Sequence, residues 1–317
     1  MQGVFLDKAS LDYGDLDFSG LDKAVSEMRY FPTTAPEQVR ERLAGAAVAI
    51  SNKVMLDAAA LEASPDLKLI CVAATGTNNV DLAAATRLGI TVCNCQAYGT
   101  PSVVQHVFSL MLALMTRLPD YHQAVREGRW QQAQQFCFLD YPIRELAGKT
   151  LGIVGYGELG RGVAHIAKAF GMTVLVAQRP GHHEQQDGRL PLTALLPQID
   201  VLTLHCPLTP ETRGLIGAWE LALMKRDALL INAARGGIVD EAALAKALRS
   251  GALGGAGVDV LTVEPPAQGN PLLEPIPNLI VTPHCAWGSQ EARQRLLAQL
   301  AENIEGYLRG QPLRVVQ

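Results

Sequence analysis

The sequence predicts an α/β protein of two Rossmann-like or flavodoxin-like domains, each a doubly wound parallel sheet, with a cleft between them. Three observations carry that expectation. Short apolar runs alternate with helical patterns along the chain, an arrangement that covers a parallel sheet on both faces. The chain has 317 residues, enough for two such domains. Leu151-Gly-Ile-Val-Gly-Tyr-Gly-Glu-Leu-Gly-Arg161 then sets a Gly155-x-Gly157-x-x-Gly160 turn between an apolar strand and a helical pattern.

In chain order, Gly3–Asp7 reads as a first strand, followed by a polar stretch rich in Asp and Ser. A helix over Glu37–Leu43 follows Pro36, and Ala47–Ser51 and Leu67–Ala73 read as strands. The last of these runs into Ala74-Thr-Gly-Thr-Asn-Asn-Val-Asp81, outside the carboxyl end of a parallel strand, where open α/β sheets place ligands. The amides of Thr75 and Gly76 could face a carboxylate there, or the loop could be an ordinary glycine turn. Ile90–Cys93 is a further strand. A helix begins at Thr100-Pro101, with Thr100 as N-cap, and continues through Leu110–Leu118 with apolar residues nearly all round. His106 on that helix reads as a packed core histidine. Tyr121–Pro142, with Trp130, Phe136 and Phe138, reads as irregular: an arm into a partner subunit, or a cover for its own domain.

The glycine turn then starts the second half. Gly155 permits the tight turn, Gly157 lets the backbone approach a pyrophosphate, and Gly160 allows close helix–strand packing. The helix that opens at Glu158 and Leu159 offers unpaired N–H groups to the anion. The next strand, Gly171–Ala177, ends at Gln178-Arg179-Pro180, with no carboxylate before Glu184. A ribose 2′-hydroxyl usually meets an Asp or Glu at this strand end. An amide beside a guanidinium suits a 2′-phosphate better, so NADP(H) is expected over NAD(H).

Strands over Asp200–His205, Ala228–Asn232, Gly255–Asp259 and Leu279–His284 each carry a polar residue to one sheet edge, and a helix over Gln290–Leu308 closes the chain. Arg235, Glu264 and His284 all lie just beyond strands, so one crevice could hold them. Reducing a ketone with a bound hydride donor needs a cation to hold the substrate and an acid for the developing alkoxide. Arg235 suits the first role, His284 the second, and Glu264 would orient the imidazole and favour its protonated form. Each also has an ordinary alternative, as an ion pair, a turn residue before Pro265 or a capped core histidine.

Composition sets the bounds. A formal charge of −4 with 48% hydrophobic and 18% charged residues gives no sign of nucleic-acid affinity. Neither a basic, apolar leader nor a bilayer-length apolar stretch is present, so the cytoplasm is the expected location and no membrane partner is expected. The six cysteines lack CxxC spacing, and most read as small core residues. The histidines form neither HxH nor HExxH, so no metal is expected.

Gly155-x-Gly-x-x-Gly160, Asn232-Ala-Ala-Arg-Gly-Gly-Ile-Val-Asp240, Val258-Asp-Val-Leu-Thr-Val-Glu-Pro265 and Thr282-Pro-His-Cys-Ala286, in that order, resemble the D-isomer-specific 2-hydroxyacid dehydrogenases. The resemblance is strongest from Ala73 to Trp287. It implies a discontinuous substrate-binding domain over residues 1–98 and 287–317, a nucleotide-binding domain over 99–286, and a homodimer. It implies that Arg235 binds substrate, His284 is the acid/base and Glu264 its partner, with Thr75 and Gly76 on the carboxylate and Trp287 beside the acid. By the same likeness His205, Cys206, Pro207, Ala233, Ala234 and Asp259 line the cofactor. They do so together with Gly155, Gly157, Glu158, Leu159, Gly160, Gln178, Arg179, Pro180, Arg235 and His284.

Within the family, Tyr98-Gly-Thr-Pro-Ser-Val, Gly128-Arg-Trp-Gln131 and His284-Cys-Ala-Trp287 are most similar to glycerate dehydrogenases, or hydroxypyruvate reductases. The implied reaction is NAD(P)H-dependent reduction of hydroxypyruvate, with glyoxylate as a second substrate. Two departures are Gln178, where NAD users carry Asp, and Gln105, where many members carry Glu. Another small 2-oxoacid is the alternative substrate. A dinucleotide-sensing binding protein is the alternative class. Trp287 could narrow the pocket or simply pack.

Overall fold

The computed structural model describes residues 1–181 and 188–316, so Glu184 lies outside the described residues. It divides into two compact units, Met1–Gly99 with Trp287–Gln317, and Thr100–Ala286.

The first unit contains β1 (Gln2–Phe5), β2 (Glu27–Tyr30), β3 (Val48–Ser51), β4 (Leu69–Val72) and β5 (Thr91–Cys93). The order is β2-β1-β3-β4-β5, parallel throughout, the flavodoxin-like winding. The period-2 alternation of a strand sends neighbouring side chains into two different cores. Phe5, Val48, Ile50, Leu69 and Cys71 pack with Leu296, Leu297 and Leu300 of the closing helix, Gln290–Leu308. Val4, Ala49, Ile70 and Val72 pack on the other face with Val39, Leu43, Leu61 and Ala84. Both faces of β3 and β4 are therefore buried, which is why those stretches read as unbroken apolar runs.

The closing segment is tied to this sheet by polar groups. Asn303 is fully buried; its amide donates to Asn94 O at 2.9 Å and its oxygen accepts from Arg314 at 2.8 Å. Val316 N donates to Val92 O at 3.0 Å.

The second unit contains β6 (Thr150–Val154), β7 (Thr173–Ala177), β8 (Arg189–Leu190), β9 (Val201–Leu204), β10 (Leu229–Asn232), β11 (Gly255–Val258) and β12 (Leu279–Val281). Its order is β12-β11-β10-β9-β6-β7-β8, again parallel, with the winding reversed between β6 and β9. All seven carboxyl ends thus share one edge.

Three local differences from the sequence reading have physical causes. The polar stretch after β1 holds a short helix, Ser19–Ala24, and the edge strand β2. As an edge strand β2 is only partly buried, so it lacks an apolar signature. The long apolar helix ends at Thr116; Arg117 turns left-handed at φ +54° and a separate helix, Leu118–Arg126, follows with Pro119 in its first turn. The segment from Tyr121 is therefore helical at its start. Thr100 lies within the helix, and its hydroxyl donates to Glu158.

Cys71, Cys93, Cys95 and Cys206 are buried, as core residues should be. Burial pushes the Cys95 thiol up to about 12 and the Cys206 thiol to about 11. Among the described residues no helix is long and apolar enough to cross a membrane.

Replacing Asn303 by Leu removes the partner of Asn94 O and one acceptor of Arg314. Urea unfolding should show a loss of about 1–3 kcal/mol. A change below a few tenths would show that the tail is held by other means.

Candidate active site

The site is assembled at the carboxyl edge of the second unit, beginning at the winding reversal. Gly155 leaves β6 at φ +90°. A Cβ there would lie 2.5 Å from the main chain of His205, which leaves β9 next door. At Gly160 a Cβ would lie 2.2 Å from Gly155 O, so the helix Glu158–Ala169 can start against β6 only with glycine. Gly157 differs: a Cβ there would meet nothing within 4 Å. Two glycines thus serve packing and one borders open space in front of a 12-residue helix. That cradle fits a dinucleotide pyrophosphate, which takes the helix N-terminal N–H groups and dipole.

The flanking residues each follow from a strand end. Gln178 follows β7, its N–H bonded to Leu190 O at 2.8 Å, and Arg179 beside it is exposed. The carboxyl of Glu211 is held below its usual range, first by the Thr209 hydroxyl and in part by the positive field of Arg179. His205 bonds Thr203 Oγ1 through Nε2 at 2.9 Å, while its Nδ1 is buried with no hydrogen-bond partner among the described residues. Burial lowers its pKa to about 4, so this imidazole is neutral at physiological pH.

After β10, the buried Asn232 shapes the next loop. Its side chain accepts from Ala234 N at 3.1 Å and donates to Arg235 O at 3.1 Å. Ala233 and Ala234 are buried; Arg235 is exposed, with Nη1 on Ala234 O at 2.7 Å. A Cβ at Gly236 would lie 1.9 Å from Leu261 O. The Arg235 loop therefore rests directly on the loop that carries Glu264.

Asp259, at the end of β11, is 1% exposed. Its Oδ1 accepts from the Thr282 hydroxyl at 2.6 Å and from Cys285 N at 3.0 Å; its Oδ2 accepts from Ala286 N at 2.9 Å. Its main-chain oxygen accepts from His284 N at 2.7 Å. Expected along the cofactor, this side chain has both oxygens on the chain's own turn.

That turn holds His284 at φ +53°, the left-handed region a non-glycine residue rarely occupies. There His284 Nδ1 lies 2.6 Å from Glu264 Oε2, while Glu264 Oε1 accepts from Leu261 N at 2.8 Å. A carboxylate only accepts, so Nδ1 is the donor in this contact. The two side chains are 29% and 36% exposed, open enough to meet a substrate.

In the first unit, the loop after β4 leaves Thr75 exposed, with its hydroxyl on Cys95 O at 2.9 Å and its carbonyl on the Asn94 amide at 2.7 Å. Trp287 packs edge-on against Tyr98, ring centroids 6.4 Å apart, at the margin of the core formed with the closing helix.

Sequence reasoning did not single out Thr282, Asn232 or Ser102, and it took His106 as a packed core histidine. The first two lie inside the quoted motifs beside His284 and Arg235, so motif membership was their available signal. His106, Asp259 and Cys285 place three donor atoms within 4.8 Å of one another, a cluster no sequence spacing showed. Asp259 Oδ1 there already accepts from Thr282 and Cys285 N.

Residues 108–286 match the model of the D-isomer specific 2-hydroxyacid dehydrogenase NAD binding domain. The chain is 50% identical to the glycerate dehydrogenase of Methylorubrum extorquens over 99% of its length and 98% of that protein's. It is 38% identical to the hydroxypyruvate reductase of Blautia hydrogenotrophica over 100% of this chain and 99% of that one. Among solved structures, an NADPH-dependent glyoxylate/hydroxypyruvate reductase of Sinorhizobium meliloti, in complex with NADP and malonate, superimposes with a TM-score of 0.82. Its identity is 26%, over 99% of this chain and 96% of that one.

The neutral His205 couples stability to pH. Its folded pKa of about 4 lies below the ordinary 6.5, so the unfolded chain binds the proton first. Its contribution is complete above pH 6.5, falls as pH drops toward 4, and totals about 3 kcal/mol. Urea midpoints at pH 7 and 4.5 should differ more in the native chain than in His205→Gln; equal differences would place that proton elsewhere.

Proposed function

The chain belongs to the family of D-isomer-specific 2-hydroxyacid dehydrogenases, and from that premise we propose that it reduces hydroxypyruvate to D-glycerate, and glyoxylate to glycolate. It is an oxidoreductase with a nicotinamide-dinucleotide domain. The names of its relatives support the substrate class: glycerate dehydrogenase, hydroxypyruvate reductase and, at 40% identity over 81% of this chain, the glyoxylate reductase of Korarchaeum cryptofilum. The observation that carries the chemistry is the 2.6 Å His284–Glu264 pair beyond β12, on the carboxyl edge that also bears the glycine cradle.

A reduced nicotinamide dinucleotide held at the Gly155–Gly160 turn would supply the hydride for the keto carbon. His284 donates its Nε2 proton to the carbonyl oxygen as the alkoxide develops, so hydride and proton together convert C=O to CH–OH. Glu264 keeps Nδ1–H engaged, fixing the ring plane and offsetting the imidazolium charge between turnovers. Arg235 holds the 2-oxoacid by its carboxylate and polarises the carbonyl, a task suited to a planar guanidinium. The Thr75 and Gly76 amides are the further carboxylate ligands that the family likeness assigns.

NADP(H) is the preferred cofactor, with NAD(H) usable. The support is Gln178 in place of an acid, the exposed Arg179 after it, and the NADP bound by the Sinorhizobium relative. The working form is a homodimer. The segment from Leu118 to Ile143 leaves Leu118, Trp130, Phe136, Leu139 and Ile143 exposed at 63, 53, 88, 74 and 54%, an apolar surface that a second copy would cover.

Absorbance at 340 nm with hydroxypyruvate should fall with NADPH faster than with NADH, and Gln178→Asp should reverse that order. NADH-only consumption would overturn the cofactor choice and keep the chemistry. No consumption with either would remove hydroxypyruvate as the substrate. His284→Ala should lower kcat by about 10²–10⁴; near-native turnover would remove it as proton donor.

A further inference from the structure

The sequence reads His106 as a core residue. In the fold its side chain is 20% exposed, and Nε2 stands 3.0 Å from Thr282 Oγ1 and 3.5 Å from Asp259 Oδ1. Thr282 has one hydroxyl proton, and its 2.6 Å contact with the Asp259 carboxylate shows where that proton points. Toward His106 the Thr282 oxygen can therefore only accept, so Nε2 carries a hydrogen. A directed chain results, from imidazole to hydroxyl to carboxylate, and that carboxylate holds Cys285 N and Ala286 N. Four residues earlier on the same helix face, Ser102 donates to Ala286 O at 2.7 Å. The helix Thr100–Thr116 thus grips residue 282 and residue 286, on either side of His284.

We propose that His106 is a positioning residue for the reduction: its Nε2–H fixes the direction of the Thr282–Asp259 hydrogen bond and so holds the 282–286 turn with the His284 imidazole against Glu264. The inference rests on the reading of His284 as proton donor. A non-glycine residue stays in the left-handed region only where its surroundings over-determine it. At His284 they do so through Asp259, whose main chain takes the His284 N–H and whose side chain takes the next two amides. Without the His106 hydrogen, the Thr282 hydroxyl has a second acceptor to turn to, the bare imidazole nitrogen or water, and the turn gains a competing state. Networks of this kind act through neighbours, so removing one member costs more than its own contact.

The test compares His106→Leu, His106→Gln, Thr282→Val and the Leu/Val double variant, with His284→Ala as reference. Gln can present an amide hydrogen near the Nε2 position, whereas Leu cannot. His106→Leu should lower kcat for hydroxypyruvate about tenfold or more, with the cofactor KM changed by less than about twofold. His106→Gln should recover most of the loss, and the double variant should be no slower than Thr282→Val. Hydrogen exchange should quicken at the Cys285 and Ala286 amides in His106→Leu and stay unchanged in β10. Native kcat in His106→Leu, additive losses with Thr282→Val, or equal losses in Leu and Gln would overturn the inference. Should His106→Leu not fold, His106→Asn, whose shorter amide falls short of Thr282, must behave as a loss variant beside a near-native Gln. If His284→Ala itself keeps turnover, the proton-donor reading fails; if it loses turnover while His106→Leu does not, only the role of His106 fails.

Discussion

The interaction on which the site depends is the buried carboxylate of Asp259. A carboxyl group 1% exposed is tolerable only if its oxygens are satisfied by hydrogen bonds, and here donors from Thr282, Cys285 and Ala286 converge on it. Those donors lie on both sides of His284, so satisfying the carboxylate also sets the backbone of His284. The same residue joins the sheet: its N–H donates to Asn232 O, and its carbonyl accepts from His284 N. Three strand ends, β10, β11 and β12, are therefore locked into one frame, and the loops bearing Arg235, Glu264 and His284 inherit their geometry from it.

The frame also requires close main-chain approach. Gly160 against Gly155 and Gly236 against Leu261 are contacts where any Cβ would collide with backbone, so no neighbouring side chain could yield to make room. Gly157 belongs to the same motif and shows the opposite, open space. Within six residues the motif thus separates glycines that serve packing from the one that borders open space.

Three histidines of the second unit show how environment divides one chemistry into different tasks. His205 is enclosed and neutral, its Nδ1 without a partner among the described residues. His106 donates into a polar chain beneath the site. His284 sets Nδ1 2.6 Å from the Glu264 carboxylate, with its side chain 29% exposed. Residue type says little about these roles; the partner of each ring nitrogen says nearly everything.

The sequence by itself determined the alternation of strands and helices, the parallel winding and the strand ends that bear Arg235, Glu264 and His284. It could do so because buried parallel strands are continuous apolar runs, and because a glycine turn between strand and helix has few alternatives. It did not reveal β2, whose edge position leaves Glu27 and Arg29 in a half-open strand, nor the break at Arg117, which depends on a single left-handed residue. Only the tertiary structure decided that Asp259 faces the turn, that Trp287 packs on Tyr98 and that His106 reaches Thr282. The physical reason is the same in each case. These contacts join residues far apart in the chain (176 positions for His106 and Thr282), and the direction of a hydrogen bond is set by the neighbours that folding brings.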